Sequence, residues 1–375
     1  MPLKRARRKF DSSPRHMRKI FAWIHRYETH LSAAAMVAGF IVDNIFFTRV
    51  DLPITHALFI GYLVIAASAI ILWHQLEEYS PEGMSRPRWR SVLPILTQFA
   101  LGGLWSGFLI FYSRSAEIAA SWPFLLVLGA IFLGNEIFRR YHSRLVFTSV
   151  LFFFALYSYA IFAIPVLLHS IGTSIFLISG GCAVVVFALF LFILRKAGRM
   201  RFIAVVWPIR LGAAAVLIVI NLFYFTNILP PLPLALSAGG MYHRVTHTNA
   251  GYEAAAEPQS WEVSFGFPPT LHVAPGESLY AFSAVFAPVA LDAKILHRWQ
   301  WYDEGQNKWE TSSLVSFSIS GGRAGGYRVY SVKQNVQEGK WRVDIETSDG
   351  RLIGRLGFMV VPVTAPVPTT KKVLN

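Results

Sequence analysis

Residues Phe202–Pro233 read FIAVVWPIRLGAAAVLIVINLFYFTNILPPLP, and the chain changes character on either side of them. The apolar run of 28 residues at 202–229 exceeds the ~20 residues that a helix needs to cross ~30 Å of hydrocarbon. Two arginines precede the run, and three prolines, which end a helix, follow it. We therefore predict that this is the last transmembrane helix and that a water-soluble domain follows it.

The composition indicates a membrane protein. Of 375 residues, 54% are hydrophobic and 15% are charged, whereas soluble proteins average roughly 25% charged residues. The net charge of +14 lies in the first part, because residues 1–229 hold 22 Lys and Arg against 9 Asp and Glu, and residues 230–375 hold 13 against 12. The second part is too nearly neutral to bind a phosphate backbone, so no nucleic-acid partner is predicted.

Seven apolar runs predict a seven-span membrane domain over residues 31–229. They lie near residues 31–47, 57–76, 92–113, 124–138, 145–168, 175–194 and 202–229. The fourth run is short, and if it lay at the membrane surface only six crossings would remain. A GxxxG pair, Gly103 and Gly107, predicts close packing of the third span within a helical bundle.

The basic residues predict the orientation of these spans. The tail, residues 1–30, and the three loops on its side hold nineteen Lys and Arg, whereas the opposite loops hold only Arg49 and Arg114. The positive-inside rule then places the N-terminus in the cytoplasm and, after seven crossings, the C-terminal domain outside. A nucleic-acid arm or a lipid-binding segment are alternatives for the tail, but cytoplasmic retention is the simpler interpretation.

The soluble part has three predicted regions. Residues 230–275 form a juxtamembrane connector with a single strand at Trp261–Phe267, because Gly-Gly and Pro-Pro pairs interrupt it. Short alternating runs between turns at 276–362 predict a small all-β sandwich of the immunoglobulin-like kind. Residues 363–375, rich in Pro, Thr and Lys, are predicted to be disordered.

Three segments of the soluble part carry a resemblance to a known family. They read HRWQWY, SGGRAGGYRVYSVK and GKWRVDIETSDGRLIGRLGF, and they resemble the bacterial domain of unknown function 2914. The membrane part, with AGFIVDNIFFTRVD, FYSRSAEIAASWPF and GNEIFRR, is similar to the multi-span region that accompanies this domain in proteobacterial envelope proteins. The resemblance implies a multi-pass protein of the bacterial inner membrane with a periplasmic β domain, and it implies no activity.

Aromatic and basic residues of the β domain are the first candidates for a binding site. Exposed Trp and Tyr beside Arg would form a platform for a glycan, for peptidoglycan or for a protein partner. Strand alternation places several of them on one face, which could equally be the core of the sandwich. The candidates are His297, Trp299, Trp301, Arg323, Arg328, Tyr330, Trp341 and Arg342.

Polar residues in the spans form a second candidate set, because a charged side chain at a helix centre costs about 2.5–3.5 kcal/mol. They could line a path for an ion, a proton or a substrate, or they could hold helices together and reach the headgroups. The set is Asp43, Arg114, Asn135, Glu136 and Arg210.

Metal and catalytic motifs are weak or missing in the sequence. His243 and His247 have the i, i+4 spacing of a helical metal site, but nothing predicts a helix there. The single cysteine, Cys182, excludes a disulfide framework within one chain. We therefore expect no cofactor, no metal and no enzymatic activity.

Two functions follow from these observations. The first is a non-enzymatic inner-membrane protein that presents its β domain in the periplasm to bind an envelope partner or polymer. The alternative is a transporter or membrane-embedded enzyme that uses Asp43, Arg114, Glu136 and Arg210.

Overall fold

The computed structural model describes residues 40–79 except 42, 46 and 48, 92–137 except 116, 144–249, 251–258, 267–288, 291–321 and 325–374. Residues 47–375 form one compact unit and residues 1–46 another. The predicted basic tail and most of the first predicted span lie outside the described residues, although residues 40–41 and 43–45 are helical.

Six long helices follow in the described part of the chain. They are α1 (Pro53–Glu78), α2 (Val92–Ser115), α3 (Ile118–Ile137), α4 (Leu145–Leu168), α5 (Thr173–Ala197) and α6 (Arg199–Phe225). All except α3 are long and apolar enough to cross a membrane. The helix α3 covers 20 residues, about 30 Å by helix rise, but its apolar stretch, Ala120–Asn135, is shorter.

Aromatic rings fill the centre of the bundle. Phe59 of α1 is fully buried, and its ring lies 5.2 Å from that of Phe108 and 5.4 Å from that of Phe162. A Cβ atom at Gly107 would lie 2.5 Å from the Phe59 ring, and one at Gly103 would lie 2.7 Å from the ring of Tyr62, also in α1. The GxxxG pair therefore makes room for side-chain rings of α1.

Eleven strands follow among the described residues. They are β1 (Ala235–Tyr242), β2 (Arg244–Thr248), β3 (Gly251–Ala256), β4 (Thr270–Val273), β5 (Leu279–Phe286), β6 (Asp292–Asp303), β7 (Lys308–Ser320), β8 (Tyr327–Lys333), β9 (Gly339–Thr347), β10 (Leu352–Pro362) and β11 (Thr370–Leu374). Three sheets have the orders β1-β5-β8, β4-β10-β9-β6-β7 and β11-β3-β2. All pairings are antiparallel except that of β10 with β4.

The three-stranded sheet β1-β5-β8 and the five-stranded sheet share one core. Met241, Leu279 and Ala281 of the first sheet pack against Trp299, Trp341 and Phe358 of the second. This confirms a β-rich domain after the helices, in which two of the three sheets contribute to one core.

The predicted connector at 230–275 is wrong, because β1 to β4 belong to the sheets. The strand β1 contains the Gly-Gly pair that was expected to interrupt it, and it pairs with β5 along its length. A Cβ atom at Gly239 would lie 2.9 Å from the Leu356 side chain, and one at Gly354 would lie 2.4 Å from Leu236. Small residues are needed where β1 crosses β10. The predicted strand at Trp261–Phe267 lies almost wholly outside the described residues.

The prediction of a disordered tail at 363–375 is also wrong. The strand β11 pairs with β3, and Leu374 at its end is buried against Tyr242, Val245 and Phe282. A run of Thr, Lys and Val has the β propensity for this pairing once a partner strand is present.

A turn of the β domain packs on the ends of the helices. Arg351, between β9 and β10, donates from Nη2 to the carbonyl oxygens of Leu229 (2.8 Å) and Pro230 (3.0 Å). Its guanidinium carbon lies 4.3 Å from the ring centre of Tyr224 in the last turn of α6. Ser115, at the end of α2, donates its hydroxyl to the carbonyl of Leu234. The domain is therefore attached to the helices by contacts as well as by the chain.

Candidate functional site

Three of the predicted binding residues lie inside the β domain. His297 and Trp299 are 0% exposed and Trp341 is 2% exposed. Side chains alternate along β6 and β9, so that these odd-numbered residues face the sheet β1-β5-β8, which covers them completely. The hypothesis that these three side chains form a binding surface is therefore wrong, and the alternative, that they form the core, is correct.

A closed hydrogen-bond network surrounds His297. Its Nε2 lies 2.7 Å from Ser283 Oγ and its Nδ1 lies 2.9 Å from Ser331 Oγ, which also accepts a hydrogen bond from Trp299 Nε1. Burial lowers the pKa of His297 to about 4, so the ring is neutral at pH 7. Both ring nitrogens have partners and no solvent reaches them, so the network is structural.

The outer face of the five-stranded sheet carries the aromatic and basic groups that remain accessible. The guanidinium carbon of Arg342 lies 4.3 Å from the ring centre of Trp309, and Lys340 Nζ lies 5.4 Å from that of Tyr302. The Tyr302 and Trp309 rings are 5.1 Å apart. We call these four residues the tip patch.

Strand pairing brings the tip patch together. Tyr302 pairs with Trp309 across β6 and β7, and Gln300 pairs with Arg342 across β6 and β9. Gln300 Oε1 accepts a hydrogen bond of 2.7 Å from Arg342 Nε, which holds the guanidinium against the indole. The patch lies at the Gly339 end of β9, about 25 Å along the strand from the end that adjoins Arg351. It is therefore at the end of the domain farthest from α6.

Ion pairs occupy the same face below the patch. Arg298 contacts Glu346 at 2.5 Å, and Arg355 contacts Asp344 through two hydrogen bonds of 2.6 and 2.8 Å. These hydrogen bonds raise the pKa of both arginines above the ordinary value. Each carboxylate has a cationic partner, so the pairs are structural and offer no general acid or base.

The other predicted residues of the β domain are dispersed. Trp301 is half-buried at the edge of the core and donates from Nε1 to the carbonyl of Glu338 (3.2 Å). Arg328 and Tyr330 lie on β8, in the sheet β1-β5-β8, where Tyr330 packs near Tyr252 and Tyr280. Arg323 lies outside the described residues. Of the eight candidates, only Arg342 belongs to the tip patch.

The polar residues of the spans do not form a single site where their side chains are described. Arg114 is at the end of α2 and donates to the carbonyl of Phe47. Asn135 donates to the carbonyl of Gln98 at 3.2 Å. Arg210 is exposed on α6, where its guanidinium lies 5.4 Å from the Trp207 ring, and it is about 22 Å by helix rise from the end of α6. Asp43 is in the separate first unit, and the side chain of Glu136 is not among those described.

A cluster that sequence reasoning missed joins two histidines and two glutamates. His243 lies between Glu277 (Nδ1 to Oε1, 2.7 Å) and Glu257 (Nε2 to Oε1, 2.6 Å), and Glu257 also accepts from His272 Nδ1 at 2.9 Å. We call these four residues the histidine clasp. Its four residues are spread over positions 243–277, from the predicted connector into the predicted sandwich, so their spacing gave no indication of the cluster.

The histidine clasp holds its groups by hydrogen bonds to one another. Within the part of the chain that the structure describes, no three His, Cys, Asp or Glu residues are arranged to hold a metal ion. His247, the second residue of the i, i+4 pair, lies on β2 with its ring against Tyr252. The clasp joins the small sheet β11-β3-β2 to β4 and to the turn before β5.

Comparisons with known proteins bear on part of the chain. Among curated proteins, none matches it in sequence. One solved structure, Pseudomonas fluorescens alkylpurine DNA glycosylase AlkC bound to DNA containing an abasic site analog, aligns with 81% of this chain and 99% of its own chain at 10% identity. Its TM-score is 0.21, which is too low to indicate a common fold or function.

The family comparison covers the strands that carry the tip patch. Residues 292–360, from β6 to β10, match the family described as "Protein of unknown function (DUF2914)". This is the family that HRWQWY and GKWRVDIET resemble. The segment from β6 to β10 is thus similar in sequence to the DUF2914 family, and it lies on a chain with apolar helices long enough to cross a membrane.

Proposed function

We propose that this is a seven-span protein of the bacterial inner membrane that holds an immunoglobulin-like β sandwich in the periplasm to bind an envelope polymer. Five apolar helices support the membrane assignment, and the excess of Lys and Arg on alternate loops supports the orientation. The tip patch carries the binding hypothesis, because it combines two aromatic rings with two cations at the far end of the domain.

The chemistry of the tip patch favours a glycan. Aromatic rings stack on the apolar faces of sugars, while Arg and Lys donate hydrogen bonds to sugar oxygens. The charges around the patch are balanced, since Lys340 lies 3.7 Å from Glu304 and Lys308 lies 3.2 Å from Glu310. A balanced patch with aromatic rings suits a largely neutral polymer better than a strongly acidic protein.

Co-sedimentation with purified peptidoglycan tests this proposal on the full chain in detergent. We expect the double substitution Trp309→Ala with Arg342→Gln to weaken binding about tenfold or more, because central aromatic and Arg residues dominate such contacts. The chain offers a matched control in Trp207→Ala with Arg210→Gln, since these residues form the same type of pair on α6. Equal binding by the two double variants would contradict the proposal, and capture of a protein instead of peptidoglycan would change its ligand class.

The alternative, a transporter or membrane-embedded enzyme, requires its polar residues to converge. Arg114 lies at one end of the bundle, and Arg210 lies about 22 Å along α6 from the same end. This separation favours helix packing and contact with headgroups over a shared path. We therefore keep the transporter as the second hypothesis.

A further inference from the structure

A cavity of about 290 Å³ lies between the helices and the β domain. Its walls are largely apolar, with Phe111 of α2, Leu232 and Leu236 of the chain after α6, and Phe286 of β5. Arg49 and Arg114 also line it, and among the described lining residues none is acidic, although Asp51 pairs with Arg49 beside the cavity. An apolar cavity with two guanidinium groups has the composition of a site for a molecule with one anionic end and one apolar end.

Arg49 is held in place beside the cavity. It donates to Asp51 from Nε (3.0 Å) and from Nη2 (2.6 Å), and its guanidinium carbon lies 5.6 Å from the centre of the Phe286 ring. Asp51 thus takes two of the five N–H donors of this guanidinium. The hydrogen bonds to Asp51 raise the pKa of Arg49, so the group is charged at all physiological pH values.

The position of the cavity limits what can enter it. Arg114 and Ser115 end α2, and Leu232 follows the end of α6, so the cavity is level with the ends of two transmembrane helices. At this level the headgroups of lipids meet their acyl chains. The volume is enough for a headgroup and the first few carbons, and a longer chain would lie along the helices in the bilayer.

We propose that this cavity binds the anionic head of a membrane amphiphile. A phosphate or carboxylate accepts hydrogen bonds from Arg49, through the N–H groups that Asp51 does not take, and from Arg114, which also donates to the carbonyl of Phe47. The first carbons of the amphiphile pack on Phe111, Leu232 and Leu236. This site is separate from the tip patch, which lies at the other end of the domain.

Titration of the full chain in non-ionic detergent with dodecyl phosphate tests the proposal by calorimetry. We expect one saturable site for dodecyl phosphate and no saturable binding of uncharged dodecanol. The affinity for inorganic phosphate should be weaker than that for dodecyl phosphate by about tenfold or more. Tight binding of inorganic phosphate would assign the site to the free ion, and equal binding of dodecanol would exclude a role for the arginines. Either result would overturn the proposal.

Two variants and one control complete the test. Arg114→Gln removes one cation and Ala235→Leu fills the cavity without changing its charge; each should lower the affinity for dodecyl phosphate about tenfold or more. Arg210→Gln makes the same change of charge on the exposed side of α6 and should leave the affinity unchanged. If Arg114→Gln does not fold, as judged by its melting temperature, Ala235→Leu still decides. Unchanged affinity in Ala235→Leu, or equal loss in the control, would refute the site.

Discussion

The neutral ring of His297 makes the β domain sensitive to acid. Its pKa is lowered from 6.5 to about 4 by burial, so between these values the unfolded chain binds a proton that the folded chain does not. The contribution of His297 to the free energy of unfolding is therefore fully present above pH 6.5. It is lost as the pH falls toward 4, and the loss amounts to up to about 3 kcal/mol. Thermal unfolding of the full chain at a series of pH values, followed by tryptophan fluorescence, measures it.

The variant His297→Gln separates this effect from those of other groups. Glutamine retains hydrogen-bonding groups for Ser283 and Ser331 but does not titrate, so the slope of stability between pH 6.5 and 4 should be smaller in the variant. The same slope in both proteins would show that the acid sensitivity arises elsewhere.

At the residue scale, sequence reasoning placed the aromatic residues on the correct faces but could not say which face was covered. Alternation grouped His297, Trp299 and Trp301, and the cover comes from β1 and β5, which belong to a different sheet. Trp309 and Tyr302 are aromatic residues of the same domain, but nothing in the sequence indicated that they lie side by side, because that contact depends on the pairing of β6 with β7. Pairing register is a property of the folded sheet that composition does not contain.

At the element scale, the histidine clasp stabilises the small sheet. Burial alone would raise the pKa of Glu257, but hydrogen bonds from His272 and His243 outweigh it and hold the pKa below its ordinary value of 4.5. This contribution is present above pH 4.5 and is lost as the pH falls through the lowered pKa. We expect Glu257→Gln to destabilise the small sheet by about 1–3 kcal/mol at pH 7. Amide hydrogen exchange of the full chain measures this effect, and the amides of β2 and β3 should exchange faster in the variant than in the unchanged protein.

A control lies on β3, four residues before Glu257. Glu253 contacts Lys371 at 3.4 Å, but Lys371 is 87% exposed, and exposed ion pairs contribute little. Glu253→Gln should therefore leave exchange in β2 and β3 nearly unchanged. Equal acceleration in both variants would mean that the clasp has no special role.

Elements with clear periodicity were predicted, and elements defined by their neighbours were not. In β9, Trp341, Val343 and Ile345 alternate with charged residues and are buried, which is what strand periodicity predicts. The strand β1, with ALSAGGMY, has little apolar pattern, and its small residues are needed only because Leu356 and Leu236 approach so closely. The strand β11 has no partner near it in sequence, since β3 is more than 100 residues away.

At the scale of the whole molecule, the orientation in the membrane is the firmest expectation from charge. A reporter fused after Leu374 should be active only in the periplasm and one fused at Ser143 only in the cytoplasm, because short basic loops resist translocation. Alkaline phosphatase and green fluorescent protein fusions measure the two sides. A cytoplasmic C-terminus would mean six crossings, with α3 at the surface, and would remove the periplasmic polymer from the proposed function.

Hydropathy predicted the five apolar helices because each carries its own signal over 24 to 27 residues. The contact of the β9–β10 turn with the end of α6 was not predictable. Ser348-Asp349-Gly350 has the composition of any exposed turn, and the carbonyl groups that Arg351 binds are 121 and 122 residues earlier in the chain. Such contacts depend on how the β domain is placed against the helices, and each of these parts was predicted separately.

The two attachments of the β domain at the end of α6 have a mechanical consequence. One is the chain itself, through residues 226–234, and the other is Arg351, whose guanidinium carbon lies 4.3 Å from the ring centre of Tyr224 in α6. A single flexible joint would let the domain swing freely, whereas two joints at neighbouring points resist rotation. The tip patch is about 25 Å along the sheet from Arg351. If the tip patch binds an envelope polymer as proposed, tension on the tip patch is transmitted through these two attachments as torque on α6.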